Sequence, residues 1–394
     1  MPLWSKNYTT NQLIQNYCVG NDPILDLDLI KYDCLGSIAH CHGLLEANIL
    51  TQTEFDNLIK GLQEIIVLVN KGNFAITTQQ EDCHTAIEEY LTQKYGETGK
   101  KIHTGRSRND QVLTAVRLFE KEQVFETIQS VNKFVAVLEG FEIKFGAIPM
   151  AGFTHTRKGM PSSVSFWVKM WIASMNDNLT LLEATNNLID QSPLGSAAGY
   201  GLPSILNVNR ETTAKAMGFD RVQETLYCQH SRGKFESTIL HTLSQIMFDL
   251  NRLASDLILF SEESFGLFVL PKEFCTGSSI MPQKHNPDCL ELMRGKYHQI
   301  TTLEFQLKSM SANLISGYHR DLQLTKEPIL KGFDITLSSL AVISEVFGGL
   351  NIDLQKAEQM MTPELFATQE AYQLVLCGMS FREAYQIIGK KFSS

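Results

Sequence analysis

Residues 110–145 contain no proline, and Val112, Val116, Phe119, Val124, Ile128, Val131, Val135 and Leu138 recur there at three-, four- or five-residue steps. Such spacing paints one apolar stripe on a helix. A helix of this length exceeds what a small compact domain uses, so the pattern predicts a helical bundle. Residues 234–260 repeat it through Phe235, Ile239, Leu243, Ile246, Leu250, Leu253 and Leu257. Three further stretches, 162–189, 290–314 and 330–350, read as helices. Strand signals are thin, and no Pro- or Gly-rich linker, low-complexity run or internal repeat is present. The expected fold class is all-α.

At 394 residues the chain is long enough for two or three domains. Breaks in the pattern near residues 104–108 and 349–353 predict a small N-terminal helical domain (1–107), a central helical-bundle domain (108–350) and a short C-terminal helical domain (351–394). The net charge of −9 argues against general binding to nucleic acid or to an anionic membrane surface. It leaves room for a local cationic pocket. Met1-Pro2-Leu3-Trp4-Ser5-Lys6 lacks the apolar region of a secretory signal, and no segment approaches the length of apolar residues that spans a bilayer. The eight cysteines are scattered without a Cys-x-x-Cys pair. Reduced, mostly packed thiols in a cytoplasmic protein are expected, with no structural zinc site and no metal.

Four segments concentrate polar groups where the helical pattern stops. Gly277-Ser278-Ser279-Ile280-Met281-Pro282-Gln283-Lys284-His285-Asn286-Pro287-Asp288 sets a hydroxyl, an ammonium and an amide into one Gly- and Pro-punctuated loop. Small residues let the backbone approach a ligand closely, and successive N–H groups can hold an anion. Glu81-Asp82-Cys83-His84-Thr85 is followed by His103-Thr104-Gly105-Arg106-Ser107-Arg108-Asn109-Asp110-Gln111, whose arginines precede a long helix and suit carboxylates. Capping and surface ion pairs would use the same residues. Gly152-Phe153-Thr154-His155-Thr156-Arg157 offers an imidazole that exchanges protons near neutral pH, placed just before a helix with Pro161 near its start. Tyr318-His319-Arg320-Asp321-Leu322-Gln323-Leu324-Thr325-Lys326-Glu327 could recognise a polar amino-acid group or form a solvated helix start. No P-loop, Gly-x-Gly-x-x-Gly, His-Glu-x-x-His or Gly-x-Ser-x-Gly motif occurs, so nucleotide, zinc-protease and serine-hydrolase chemistry have no support.

All four segments, in this order, resemble the argininosuccinate lyase family of the fumarase/aspartase superfamily. The string from His103 to Gln111 is similar to that family's most distinctive motif, and Gln283 with Asp288 favours this branch over fumarase or adenylosuccinate lyase. Asp33-Cys34-Leu35-Gly36-Ser37-Ile38-Ala39-His40 and Phe381-Arg382-Glu383-Ala384 extend the similarity to both ends.

The resemblance implies a fumarase/aspartase-like three-domain fold with a long central helical bundle, assembled as a homotetramer. Each active site would take segments from three subunits. It implies reversible elimination of argininosuccinate to arginine and fumarate, a step of arginine biosynthesis, with no cofactor. Ser278 would be the general base, activated by the loop amides and Lys284, and His155 the general acid or relay. Glu291 would orient the groups around that histidine. Lys284 and Asn286 would bind the fumarate-forming carboxylates, and Arg108, Asn109 and Thr154 the succinyl part, with Asp82 and His84 nearby. Tyr318, Gln323 and Lys326 would recognise the arginine end. The alternatives are a sister elimination such as adenylosuccinate cleavage, and a crystallin-like structural protein. The chain departs from the family pattern in several places: Thr156-Arg157 follow His155 where Leu-Gln is common, His285 replaces the second of two lysines, and the C-terminal domain is shorter than usual. Many members carry Ser-Asp-Arg-Asp-Phe where this chain reads Ser231-Arg232-Gly233-Lys234-Phe235. The serine expected near Asp26 is replaced around Gly20-Asn21-Asp22.

Overall fold

The computed structural model describes residues 11–392, so the Met1-to-Lys6 stretch read for a signal lies outside the described residues. The main elements are α1 (Asp22–Glu46), α2 (Gln52–Asn70), α3 (Cys83–Tyr95) and α4 (Arg108–Phe145). A hairpin of β1 (Pro149–Thr154) and β2 (Arg157–Ser163) leads into α5 (Val164–Ile189) and then α6 (Lys234–Ser261). A two-residue ribbon, β3 (Thr276–Gly277) with β4 (His285–Asn286), precedes α7 (Asp288–Ser311), α8 (Lys326–Gly349) and α9 (Phe381–Lys391). The fold is all-α in class, with only two-stranded sheets among the described residues. No helix among them is long and apolar enough to cross a membrane.

Helix α4 carries 38 residues, which at 1.5 Å per residue makes it about 57 Å long. Its apolar stripe is buried at Val116, Val124, Val131 and Leu138. The 162–189 helix starts later than its pattern predicts, because residues 157–163 pair with β1 as a strand. Pro161 therefore lies opposite Ala151 in a ribbon and not at a helix N-terminus. A two-stranded ribbon has free edges, so a proline without an N–H is tolerated there. Helix α8 begins ahead of its apolar pattern, with Pro328 in the first turn, where its missing donor is harmless.

The chain divides into two compact units. The first holds the residues up to Glu126 together with Leu182–His241 and Thr302–Phe333. The second holds Thr127–Leu181, Thr242–Thr301 and the residues from Asp334 onward. In the first unit, α1, α2 and α3 close on a core of Ile30, Leu44, Leu58, Leu62, Ile65, Ile87 and Leu91. Thr51 and Glu54 start α2 with a reciprocal capping box. Gly61 lets α2 and α3 approach closely: a Cβ there would lie 2.4 Å from Leu91 Cδ2, so a larger residue would have to displace that side chain. The second unit is built around aromatic rings: Phe141 meets Phe347 edge-on at 5.2 Å, and Trp167 lies 5.0 Å from Phe268. Such pairs add about 0.5–1.5 kcal/mol each beyond the area they bury.

Candidate active site

The first unit contains a cleft of about 90 Å³, lined by Asp22, Asp82, Arg108, Asn109, Val112, Arg232, Tyr318, Arg320, Gln323 and Lys326. Local rules bring these residues there. Asp82 caps α3, its carboxylate accepting from the Thr85 N–H at 2.9 Å. The same carboxylate pairs with Arg108, the first residue of α4, and Glu81 adds a second carboxylate 3.4 Å from that guanidinium. Asp110 anchors the start of α4 by accepting from Ser107, Gly195 and Ala197 N–H groups at 2.9, 3.0 and 2.9 Å. A 3-10 turn, Arg320–Thr325, delivers Gln323 and then Lys326 as α8 begins.

The floor of the cleft is ionic. Lys326 Nζ lies 2.7 Å from Asp26 and 2.8 Å from Asp22, with its side chain 1% exposed. This differs from a solvated helix start. Burial works against the ammonium charge, but the two carboxylates outweigh it, and the Lys326 pKa is raised. Below α3, His84 Nδ1 meets Asp33 at 2.5 Å, both side chains nearly fully buried. Burial opposes the His84 charge, and Asp33, Asp82 and Asp26 outweigh it, raising its pKa. Burial likewise pushes Asp33 up, and His84 with Arg106 more than compensates, so Asp33 is lowered.

These two shifts set a pH window. The raised His84 contributes stability that is complete below its unfolded value of about 6.5 and is lost as pH rises through the folded pKa. The lowered Asp33 contributes stability that is complete above about 3.9 and is lost as pH falls. The pair therefore supports the fold most between those limits. The expected result is a melting temperature that falls between pH 6 and pH 9 more steeply in the parent than in His84→Gln. Equal slopes in thermal melts of the two proteins would refute the assignment. Asp33, Cys83 and His84 also bring three metal-capable atoms within 4.8 Å of one another. Asp33 is already engaged by His84 and by Arg106 at 3.6 Å, and that guanidinium disfavours a second cation.

The second unit holds the hydroxyl loop and the histidine hairpin. Ser278 follows β3, and its Oγ accepts from the Met281 N–H at 3.1 Å and the Ile280 N–H at 3.4 Å. Thr276 Oγ1 donates to Asp288 in the first turn of α7, which ties the two ends of the loop together. Lys284 is exposed, Asn286 is half-buried in β4, and Glu291 is exposed in the first turn of α7. His155 and Thr156 form the two-residue tip of the β1–β2 hairpin, at φ values of +54° and +58°. Two left-handed residues match the twist of a tight hairpin. For Thr156, which is β-branched, that conformation is strained. The turn holds the exposed His155 at the apex, with Thr154 beside it.

Six of the sequence-nominated residues, Asp82, Arg108, Asn109, Tyr318, Gln323 and Lys326, thus line one cleft. His84 is buried in the same unit, on the α3 turn that Asp82 caps. Thr154, His155, Ser278, Lys284, Asn286 and Glu291 belong to the second unit. Among the described residues, no hydrogen bond joins Ser278 to His155, Lys284 or Glu291. Sequence reasoning did not nominate Asp22, Arg232 or Arg320 for the cleft, although the first two sit at departures from the family pattern.

The family described as Lyase matches residues 4–302. A protein named argininosuccinate lyase from Thermotoga neapolitana is 48% identical over 391 residues, covering 99% of this chain and 98% of its own length. Among solved structures, EDDS lyase in complex with formate superposes with a TM-score of 0.82 at 22% identity, covering 97% of this chain and 76% of its own. A class II fumarase from Schistosoma mansoni reaches a TM-score of 0.79 at 16% identity, covering 99% of this chain and 93% of its own. The two structures share the fold, and the sequence match goes further: this chain belongs to the argininosuccinate lyase family of the fumarase/aspartase superfamily.

Proposed function

We propose that the protein catalyses the reversible elimination of argininosuccinate to arginine and fumarate, the closing step of arginine biosynthesis, in the cytoplasm. The observation that carries the substrate is the 48% identity to an argininosuccinate lyase over nearly the whole of both chains.

The residues supply the chemistry as follows. Ser278 removes a proton from the succinyl carbon beside a carboxylate. To act as that base Ser278 must first release its hydroxyl proton to solvent; two N–H groups already aim at its Oγ and stabilise the resulting alkoxide, and the Lys284 ammonium adds to that field. The carbanion places extra negative charge on the neighbouring carboxylate, where Lys284 and Asn286 lower the barrier. The C–N bond then breaks, its electron pair leaves with the guanidino nitrogen, and His155 delivers a proton to that nitrogen, with Glu291 orienting the groups around it. Arg108, Asn109 and Thr154 hold the succinyl part beside Asp82 and His84, and Tyr318, Gln323 and Lys326 shape the arginine end.

A single chain leaves His155, Lys284 and Glu291 exposed and Ser278 half-buried, and its long helices carry exposed Phe125 and Ile143 on α4, Phe166 on α5 and Phe305 on α7. Apolar residues at this density favour a symmetric assembly. We therefore place the working enzyme as a homotetramer whose sites combine segments from three subunits, each chain contributing N-terminal (1–107), central (108–350) and C-terminal (351–394) domains. Purified protein mixed with argininosuccinate should release fumarate, read by its ultraviolet absorbance, from a particle whose light-scattering mass is four times 44.3 kDa. A tetramer that releases no fumarate from argininosuccinate, or releases it only from adenylosuccinate, would overturn the assignment.

A further inference from the structure

We infer that Asp22 and Arg232 give the cleft of the first unit a fixed charge polarity, so that it takes the zwitterionic head of an α-amino acid, with the ammonium at Asp22 and the carboxylate at Arg232. The inference rests on the lyase reading and specifies which end of the substrate this cleft reads, and through which charges.

The negative pole follows from the ionic floor. Lys326 is not free to bind an anionic ligand, because Asp26 and Asp22 already hold its ammonium at 2.7 and 2.8 Å. Two carboxylates on one ammonium leave one negative charge in excess. Asp26 is 2% exposed and its other oxygen accepts from the Cys83 N–H at 3.1 Å. Asp22 is the member that lines the cleft, with 14% of its side chain exposed. Gln323 Nε2 donates to its second oxygen at 2.5 Å, which still leaves lone pairs for an ammonium.

The positive pole is built separately. Arg232 is 4% exposed, yet its Nε has no hydrogen-bond partner among the described residues. One terminal nitrogen donates to Leu322 O at 2.9 Å, and the guanidinium lies 5.4 Å over the Tyr318 ring. Gly233, at φ +81°, turns the chain directly after it, and the Gly233 N–H donates to Glu236. Behind it, Glu120 pairs with Arg117 at 3.0 Å, and burial together with Glu236 pushes the Glu120 pKa up to about 8. Glu236, Arg117 and Arg232 all lie within electrostatic reach of Glu120. Arg232 is the member of this group that lines the cleft, and Arg320 adds a second guanidinium at the rim. A buried guanidinium with an open donor beside a pocket is suited to a carboxylate. Both poles fall on departures from the family pattern, and they differ from it in opposite directions of charge.

The test runs the reaction in the synthetic direction, following loss of fumarate with arginine, with agmatine (which lacks the carboxylate) or with 5-guanidinopentanoate (which lacks the ammonium). The parent should favour arginine over each analogue by about 100-fold in kcat/KM, the effect of one charge-assisted contact left unmade. Asp22→Asn should shrink the preference over 5-guanidinopentanoate to a few-fold and keep the preference over agmatine. Arg232→Gln should do the reverse. A parent that accepts all three within threefold, or variants that lose the same factor on every amine, would overturn the inference. The parent comparison needs no variant and so survives a folding failure. A parent that consumes no arginine at all would instead refute the lyase reading.

Discussion

Replacing Ser278 by alanine should lower kcat by about 10³-fold, within the range that loss of a positioned proton-transfer group produces. The physical reason lies in two amides. Met281 and Ile280 N–H groups converge on the Oγ in a loop held shut by the Thr276–Asp288 contact. Removing the oxygen removes the base and leaves those donors to water, because Ser278 is only half-buried. Stability should change little, and the light-scattering mass should stay that of the parent. Fumarate release measured beside a thermal melt separates these outcomes. A variant that keeps more than a tenth of the parent kcat, in the same folded assembly, would remove Ser278 from the role of base.

The largest stability effect should come from Lys326→Met. Its ammonium is nearly fully buried between Asp22 and Asp26, and truncating one partner of a buried ionic group costs about 3–5 kcal/mol, because the remaining carboxylates are left uncompensated. The pH dependence has a definite sign. In the parent, the raised Lys326 pKa means that the ammonium's contribution is complete below about 10.4, so the group is intact through the neutral range. In the variant the deficit should be greatest at pH 8 and should shrink toward pH 4. Asp22, whose pKa burial already raises against the pull of Lys326, takes up a proton as the pH falls. Adding Asp26→Asn should recover part of the loss, as expected for residues in direct contact. Denaturant midpoints at the two pH values check both statements. A single variant as stable as the parent at pH 8 would show that the ammonium is solvated.

The long helices were legible because their signal is local. An apolar residue every three or four positions makes one stripe whatever the chain does elsewhere, and α4 and α6 begin and end within two residues of the pattern. The histidine hairpin was not legible. Strand β2 is defined by its pairing with β1, and Arg157, Lys158 and Pro161 carry no strand propensity of their own. The site residues were named from motif strings, and six of them meet in one cleft. The strings did not show what each would find there: Lys326 was expected to face the ligand, and the fold surrounds it with carboxylates.

By itself, the sequence determined the helical class, the long bundle helices, the polar loops and the kinship of the chain, because periodicity and motif order are properties of neighbours along the chain. Only the tertiary structure decided which charges cancel and which stay open. Asp22 and Lys326 lie at opposite ends of the chain and meet at 2.8 Å, and Arg232 reaches the same cleft from a third segment. Electrostatic energy depends on distance and burial, and neither quantity is written in sequence separation.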